Sequence, residues 1–330
     1  MSTTMRAVVM YAPGGPEVLK IEQRPIPHAR PGQVLIRVEA FGLNRSELFT
    51  RQGHSPSVRF PRVLGIEAVG TVASAPGGEF QVGATVATVM GGMGRAFDGG
   101  YADYTLVPAC QVRTIHTKLP WSVLGALPEM LQTAWGALFQ ALRLVSGERL
   151  LIRGGTTSVG LAATAIAKSN GVEVATTSRR PDRESLVRAC GAEHFIVDGG
   201  RVSDSVQQIW PEGADKVLEL VGTLTLEDSL RCVRKPGIVC MAGMVGNKWT
   251  LDGFAPMDAI PTCVSLTSYS GDVMDFMAMP LDDLVNAVEN DRLHVGIGRV
   301  YQLDEIVEAH RALEENSAGG KIVVTTRALR

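Results

Sequence analysis

Through the first 120 residues the apolar positions come in short runs, several with a period of two, which is the spacing of strands rather than helices. Val34, Ile36, Val38 and Ala40 recur at every second position in a stretch ending at Phe41. Comparable runs occupy Met5–Tyr11, Leu19–Gln23, Ala68–Val72, Thr85–Val89 and Tyr101–Val107. Between them lie Pro13-Gly14-Gly15-Pro16, Arg30-Pro31-Gly32, Pro76-Gly77-Gly78 and the glycine-rich stretch Gly91–Gly100, all sequences that turn a chain more readily than they extend it. The pattern predicts an all-β region with a barrel-like sheet.

Beyond Pro120 the period lengthens. Leu131, Trp135, Leu138 and Leu142 fall on one face of a helix that Pro128 opens at its first turn. From Arg149 strands and helices alternate: strands at Leu150–Arg153, Glu173–Thr177, His194–Val197, Val217–Val221 and Ile238–Ala242, helices at Val159–Asn170, Arg183–Ala189, Val202–Trp210 and Leu226–Val233. Strands rich in Val, Ile and Leu that alternate with helices are what a parallel, doubly wound sheet requires, so the fold class is α/β. A sixth strand is expected at Val264–Tyr269, and the tail carries helices near Leu284–Asn290 and Asp304–Glu314 before a strand, Lys321–Thr325, that returns to the first domain.

The densest chemical signal lies where the strand Leu150–Arg153 enters Gly154-Gly155-Thr156-Thr157-Ser158-Val159-Gly160 and leaves as a helix. Small residues let a pyrophosphate approach the backbone, and a helix starting at Ser158 turns free N–H groups toward its charge. Gly154, Gly155, Thr157, Ser158 and Val159 are therefore candidate dinucleotide-binding residues, although the spacing departs from G-x-G-x-x-G. The next strand ends in Thr176-Thr177-Ser178-Arg179-Arg180, with Arg183 following. An acid there would accept from a ribose 2′-OH; arginine pairs a 2′-phosphate instead. Ser178, Arg179 and Arg183 thus favour NADPH over NADH.

Composition narrows the classes that remain. Among 330 residues, 32 Lys+Arg face 34 Asp+Glu without clustering, which gives no footprint for nucleic acid. No run of apolar residues is long enough for a membrane span, and Met1–Tyr11 lacks a signal-peptide core, so the cytosol is the expected location. Cys110, Cys190, Cys232, Cys240 and Cys263 show neither C-x-x-C spacing nor a disulfide framework.

The order of parts resembles the medium-chain dehydrogenase/reductase superfamily, and more closely its zinc-independent quinone oxidoreductase, or zeta-crystallin-like, branch. The resemblance rests on Gly42-Leu43-Asn44-Arg45-Ser46-Glu47, Arg51-Gln52-Gly53, Phe60-Pro61-Arg62-Val63-Leu64-Gly65-Ile66-Glu67, Asp98-Gly99-Gly100-Tyr101-Ala102, Leu131-Gln132-Thr133-Ala134, the Gly154–Gly160 turn, Cys190-Gly191-Ala192, Gly237, Ala242-Gly243 and Gly320-Lys321-Ile322-Val323. It implies a GroES-like β-barrel catalytic domain over 1–121 and 270–330 and a Rossmann dinucleotide-binding domain over 122–269. Zinc members of the superfamily would carry Cys at Asn44 and His at Ile66, so no metal is expected.

The resemblance also implies roles for single residues. Asn44 would orient nicotinamide or substrate through its amide. Phe49 occupies the place of a Tyr that quinone reductases often carry, which removes a possible donor from the catalytic site. Thr133 would face the nicotinamide carboxamide, Gly243 would line the cofactor site, and Lys321 would come near the cofactor phosphate. The activity implied is NADPH-dependent hydride transfer to a quinone or an α,β-unsaturated carbonyl, in a homodimer acting on a small molecule. Two other readings stay open: an enoyl reductase serving a carrier- or CoA-bound acyl chain, and a non-catalytic, crystallin-like protein that binds NADPH.

Overall fold

In the computed structural model, which describes residues Thr3–Arg327, the short N-terminal runs pair into antiparallel sheets. Strands β1 (Thr4–Met10), β2 (Lys20–Pro25) and β4 (Arg62–Val63) form one sheet in the order β2-β1-β4. Strand β3 (Gln33–Gly42) pairs with β5 (Glu67–Ser74) and β7 (Tyr104–Pro108), and β6 (Thr85–Val89) joins β5 to β8 (Val112–Thr114). Together with the tail, these strands make one of two compact units, comprising the chain up to Glu129, residues 272–289 and everything from Ile297.

Met130–Gly271 and Asn290–Gly296 make the other unit. Its sheet is wholly parallel and uses β9 (Arg149–Arg153), β10 (Glu173–Ser178), β11 (His194–Val197), β12 (Ala214–Glu219), β13 (Val233–Met241) and β14 (Val264–Ser268). The spatial order is β11-β10-β9-β12-β13-β14. Counted from β9 this is 3-2-1-4-5-6, the doubly wound order whose reversal beside the first strand creates a binding crevice at the carboxyl ends of the strands. Leu151, Ala175, Val217 and Val239 pack in its core, which explains the near-continuous apolar runs of these strands.

The tail supplies β15 (Ile297–Gln302) and β16 (Lys321–Thr325); β16 pairs antiparallel with β3. The alternation at Val34–Ala40 suggests a strand with one wet face; Val34, Ile36 and Val38 lie in the core, and on the other face Arg37 stays partly open and pairs with Glu39 at 2.9 Å.

Other differences have local causes. The strand expected from Tyr101 starts at Tyr104, since Tyr101 and Ala102 turn away to bridge β1. The helix opened by Pro128 runs regularly over Leu127–Trp135 and then widens into π-type turns over Gly136–Ala141. A helix at Arg45–Arg51 and strand β15 carry too little apolar periodicity to announce themselves: β15 is half exposed and contains two polar side chains in Arg299 and Gln302.

Candidate active site

The second unit places its glycine turn at the carboxyl end of β9, the first strand of the doubly wound order. Gly154 has φ +82°, which favours glycine, and a Cβ on Gly155 would lie 2.6 Å from the Cβ of Thr176. The turn therefore rests directly on β10. Thr157 caps the helix Ser158–Ser169 by accepting from the Gly160 N–H at 3.0 Å. The N–H groups of Ser158 and Val159 keep no acceptor among the described residues, so the first turn offers donors and positive dipole to an anion.

Beneath the turn lies a buried scaffold. Arg153 is fully buried and forms ion pairs with Asp198 at 2.9 Å and Asp228 at 2.6 Å. Asp198 also accepts from Thr177 Oγ1 at 3.2 Å, and Thr177 Oγ1 in turn accepts from Gly154 N–H at 3.1 Å. Glu219 ends β12 and accepts from the N–H groups of Val221 and Gly222 at 2.7 and 2.9 Å, which fixes the following loop. Burial holds the Glu219 carboxyl above its ordinary range despite these bonds. Gly243, expected in the cofactor site, packs against the Leu220 backbone of that same loop.

At the end of β10, Ser178 is buried and accepts from the Arg180 N–H at 3.1 Å. Arg180 pairs with Asp182 at 2.6 Å, whereas Arg179 is exposed and Arg183 half-exposed, neither with an ion pair among the described residues. Asp198, which accepts from Thr177 on this strand, is committed to Arg153. Thr133 lies buried on the helix Leu127–Trp135.

The other unit gathers the remaining candidates at the end of β3. Asn44 occupies the N-cap position of the helix Arg45–Arg51, but its side chain makes no capping bond. Instead its Nδ2 donates to Glu67 Oε1 at 2.9 Å and toward Glu47 Oε1 at 3.4 Å, while its Oδ1 accepts from Lys321 Nζ at 2.5 Å. Lys321 Nζ also meets Glu67 Oε1 at 2.8 Å and Glu129 Oε2 at 3.5 Å. Glu67 Oε2 accepts from the Glu129 N–H at 2.9 Å. All five residues are buried.

Lys321, expected near the cofactor phosphate, has only 1% of its surface exposed, and its ammonium is enclosed by Glu67, Glu129 and Asn44. Burial alone would lower its pKa, but the charges of Glu67 and then Glu129 hold it above the ordinary lysine value. Glu47 goes the other way. Desolvation pushes its carboxyl up to about 7, against the Ile66 N–H that donates to its Oε1 at 3.0 Å, and its Oε2 has no partner among the described residues. Phe49, on the same helix, is buried with its ring edge-on to His54 at 6.3 Å between centroids.

Sequence reasoning gave no role to Glu47, Glu67 or Glu129. A signal was present: Glu67 opens the otherwise apolar run Glu67–Val69, and Lys321 opens a strand that is buried throughout. Charges at such places must find each other, because an unpaired buried charge is prohibitively costly.

The glycine turn with its free amides, at the carboxyl end of the first strand of a doubly wound sheet, fits a dinucleotide. Gly154, Gly155, Thr157, Ser158 and Val159 would hold the pyrophosphate. These features define the class of a nucleotide-binding α/β protein. Two family models match the chain, one described as an alcohol dehydrogenase GroES-like domain over residues 30–117 and one as a zinc-binding dehydrogenase over residues 190–324. The quinone oxidoreductase of Pongo abelii is 30% identical over 335 residues, covering 97% of each chain. Among solved structures, one titled NAD-dependent alcohol dehydrogenase matches with a TM-score of 0.88 at 27% identity, over 98% of this chain and 100% of that one. A mycobacterial protein complexed with NADPH matches at 0.86 and 25% identity, over 97% and 99%. The chain belongs to the medium-chain dehydrogenase/reductase superfamily, in the zeta-crystallin-like quinone oxidoreductase branch. It is an oxidoreductase that uses a nicotinamide dinucleotide and acts on a small molecule.

Proposed function

We propose that the protein is an NADPH-dependent reductase of quinones or α,β-unsaturated carbonyls. The observation that carries this reading is the end of β10, where Ser178, Arg179 and Arg183 stand without a free acid and Asp198 is locked onto Arg153. A 2′-phosphate would find two unpaired guanidiniums and a hydroxyl there; a free 2′-OH would find no carboxylate. Bound NADPH supplies a hydride. With Asn44 and Ile66 where zinc ligands would stand, the chain offers no Lewis acid of its own, which suits acceptors that spread the incoming charge as a phenolate or enolate. The residues around Asn44 then contribute by orientation, and water can provide the proton. A homodimer, paired through an exposed edge of the six-stranded sheet, and a cytosolic location belong to the same reading.

Oxidation of NADPH and NADH by a panel of quinones and enones tests the proposal. Turnover of at least one acceptor, faster with NADPH, is the expected outcome. Tight NADPH binding with no acceptor reduced would leave a binding protein in place of the enzyme.

A further inference from the structure

The amide of Asn44 has an unusual setting. An asparagine at an N-cap ordinarily turns its oxygen back onto the helix amides, a bond whose loss costs about 1 kcal/mol. Asn44 forgoes it, although it occupies that position with the extended backbone of a cap. Its two N–H hydrogens are directed at the carboxylates of Glu67 and Glu47, and its oxygen faces the Lys321 ammonium. Turning the amide over would set its NH2 against an ammonium and its oxygen against a carboxylate, so only one orientation pairs every donor with an acceptor.

Lys321 is equally constrained. Its three hydrogens have three acceptors, in Asn44, Glu67 and Glu129. Its stem passes where Gly42 leaves room: a Cβ on Gly42 would come within 2.3 Å of Lys321 Cε and 2.4 Å of Glu67 Oε1. The end of β3 is thus shaped around the lysine.

We propose that Lys321 is a positioning residue, whose ammonium fixes the Asn44 amide so that Asn44 meets the reactants only as a hydrogen-bond acceptor, through the remaining lone pair of Oδ1. The partner it can take is a hydroxyl or an amide N–H. A carbonyl oxygen of the substrate is excluded, because Asn44 has no N–H left to give. This deepens the reading of the protein as a hydride-transfer reductase and rests on it, except for the amide's orientation, which stands by itself.

The test has two arms. In protein labelled with 15N-asparagine, the side-chain NH2 signals of Asn44 are identified by their loss in Asn44→Ala. With both hydrogens held by carboxylates they should be widely separated in shift and slow to exchange with water, and Lys321→Met should collapse them to the ordinary asparagine pair. Signals unchanged in Lys321→Met would overturn the proposal. Should that variant fail to fold, Lys321→Met/Glu129→Gln, which removes one of the carboxylates facing the lysine and leaves both acceptors of the Asn44 amide in place, is used with the same expected result.

In the second arm, Asn44→Ala and the lysine variant should each lower kcat by about tenfold, and combining them should cost no more than either alone. A combined loss of about a hundredfold would mean that Lys321 acts independently of Asn44 and would sink the idea. If the unmodified protein reduces no acceptor, the function assigned above fails, and the amide signals alone decide the role of Lys321.

Discussion

Arg179 and Arg180 are neighbours of the same charge, yet only one is available to a ligand. Arg180 is held by Asp182 through two bonds, and Arg179 extends into solvent. Arg179→Ala should therefore weaken NADPH binding by about ten- to hundredfold, the scale of a hydrogen bond to a charged group, with NADH almost unaffected. Equal losses measured by titration for both cofactors would assign the arginine to the fold. Glu47 is a residue whose effect is on stability. Its folded pKa, about 7, lies above its ordinary value of 4.5, so the stability it contributes is complete below pH 4.5 and is lost as pH rises through 7. Facing it are Ile66 N–H, Asn44, Glu67, Lys321 and the phenol of Tyr101, which burial holds well above the usual tyrosine value. Glu47→Gln removes the ionisation, so the Tm of the variant should gain on that of the unmodified protein between pH 5 and pH 8. A difference in Tm that stays constant across that range would rule out titration of Glu47.

At the scale of elements, two junctions carry the candidate residues, one in each unit, and each depends on a glycine that permits close approach. The strand-to-helix turn after β9 lies so near β10 that Gly155→Ala drives a methyl into Thr176. The strain should lower stability by about 1–3 kcal/mol and weaken binding of both NADPH and NADH, in contrast to Arg179→Ala, which separates them. Calorimetry with the two cofactors distinguishes the variants. The second junction, at the end of β3, joins a strand, a short helix and the tail strand β16 through Gly42, Asn44 and Lys321. Gly42→Ala should disturb Lys321 and Glu67 together, so its Asn44 amide signals should match those of Lys321→Met.

For the whole molecule the prediction concerns metal. The superfamily contains zinc-binding dehydrogenases, and one family model that matches this chain carries that description. Here Asn44 and Ile66 replace the Cys and His that would bind zinc, and the carboxylate of Glu67 is already neutralised by the Lys321 ammonium. Purified protein should contain no stoichiometric zinc and should keep its activity in strong chelator. One zinc per chain, lost together with activity, would refute this. Among the described residues no helix is long and apolar enough to cross a membrane.

The sequence by itself determined the alternation of strands and helices after Arg149, the glycine turn and the basic strand end, because each is written in neighbouring residues whose periodicity or turn chemistry acts locally. The same locality explains the strands at Thr85–Val89, His194–Val197 and Lys321–Thr325, whose expected and observed limits coincide. The pairing of β3 with β16 lay outside its reach, since the two strands are almost three hundred residues apart in sequence. Lys321 shows the limit most clearly. A lysine ahead of an apolar strand reads as a solvated head group, and only the pairing of β16 with β3 brings it to Asn44, Glu67 and Glu129, where the low dielectric of the interior turns four scattered polar residues into one network. Hydrogen bonds and ion pairs between distant residues have no period along the chain, so the tertiary structure alone decided which of these groups meet.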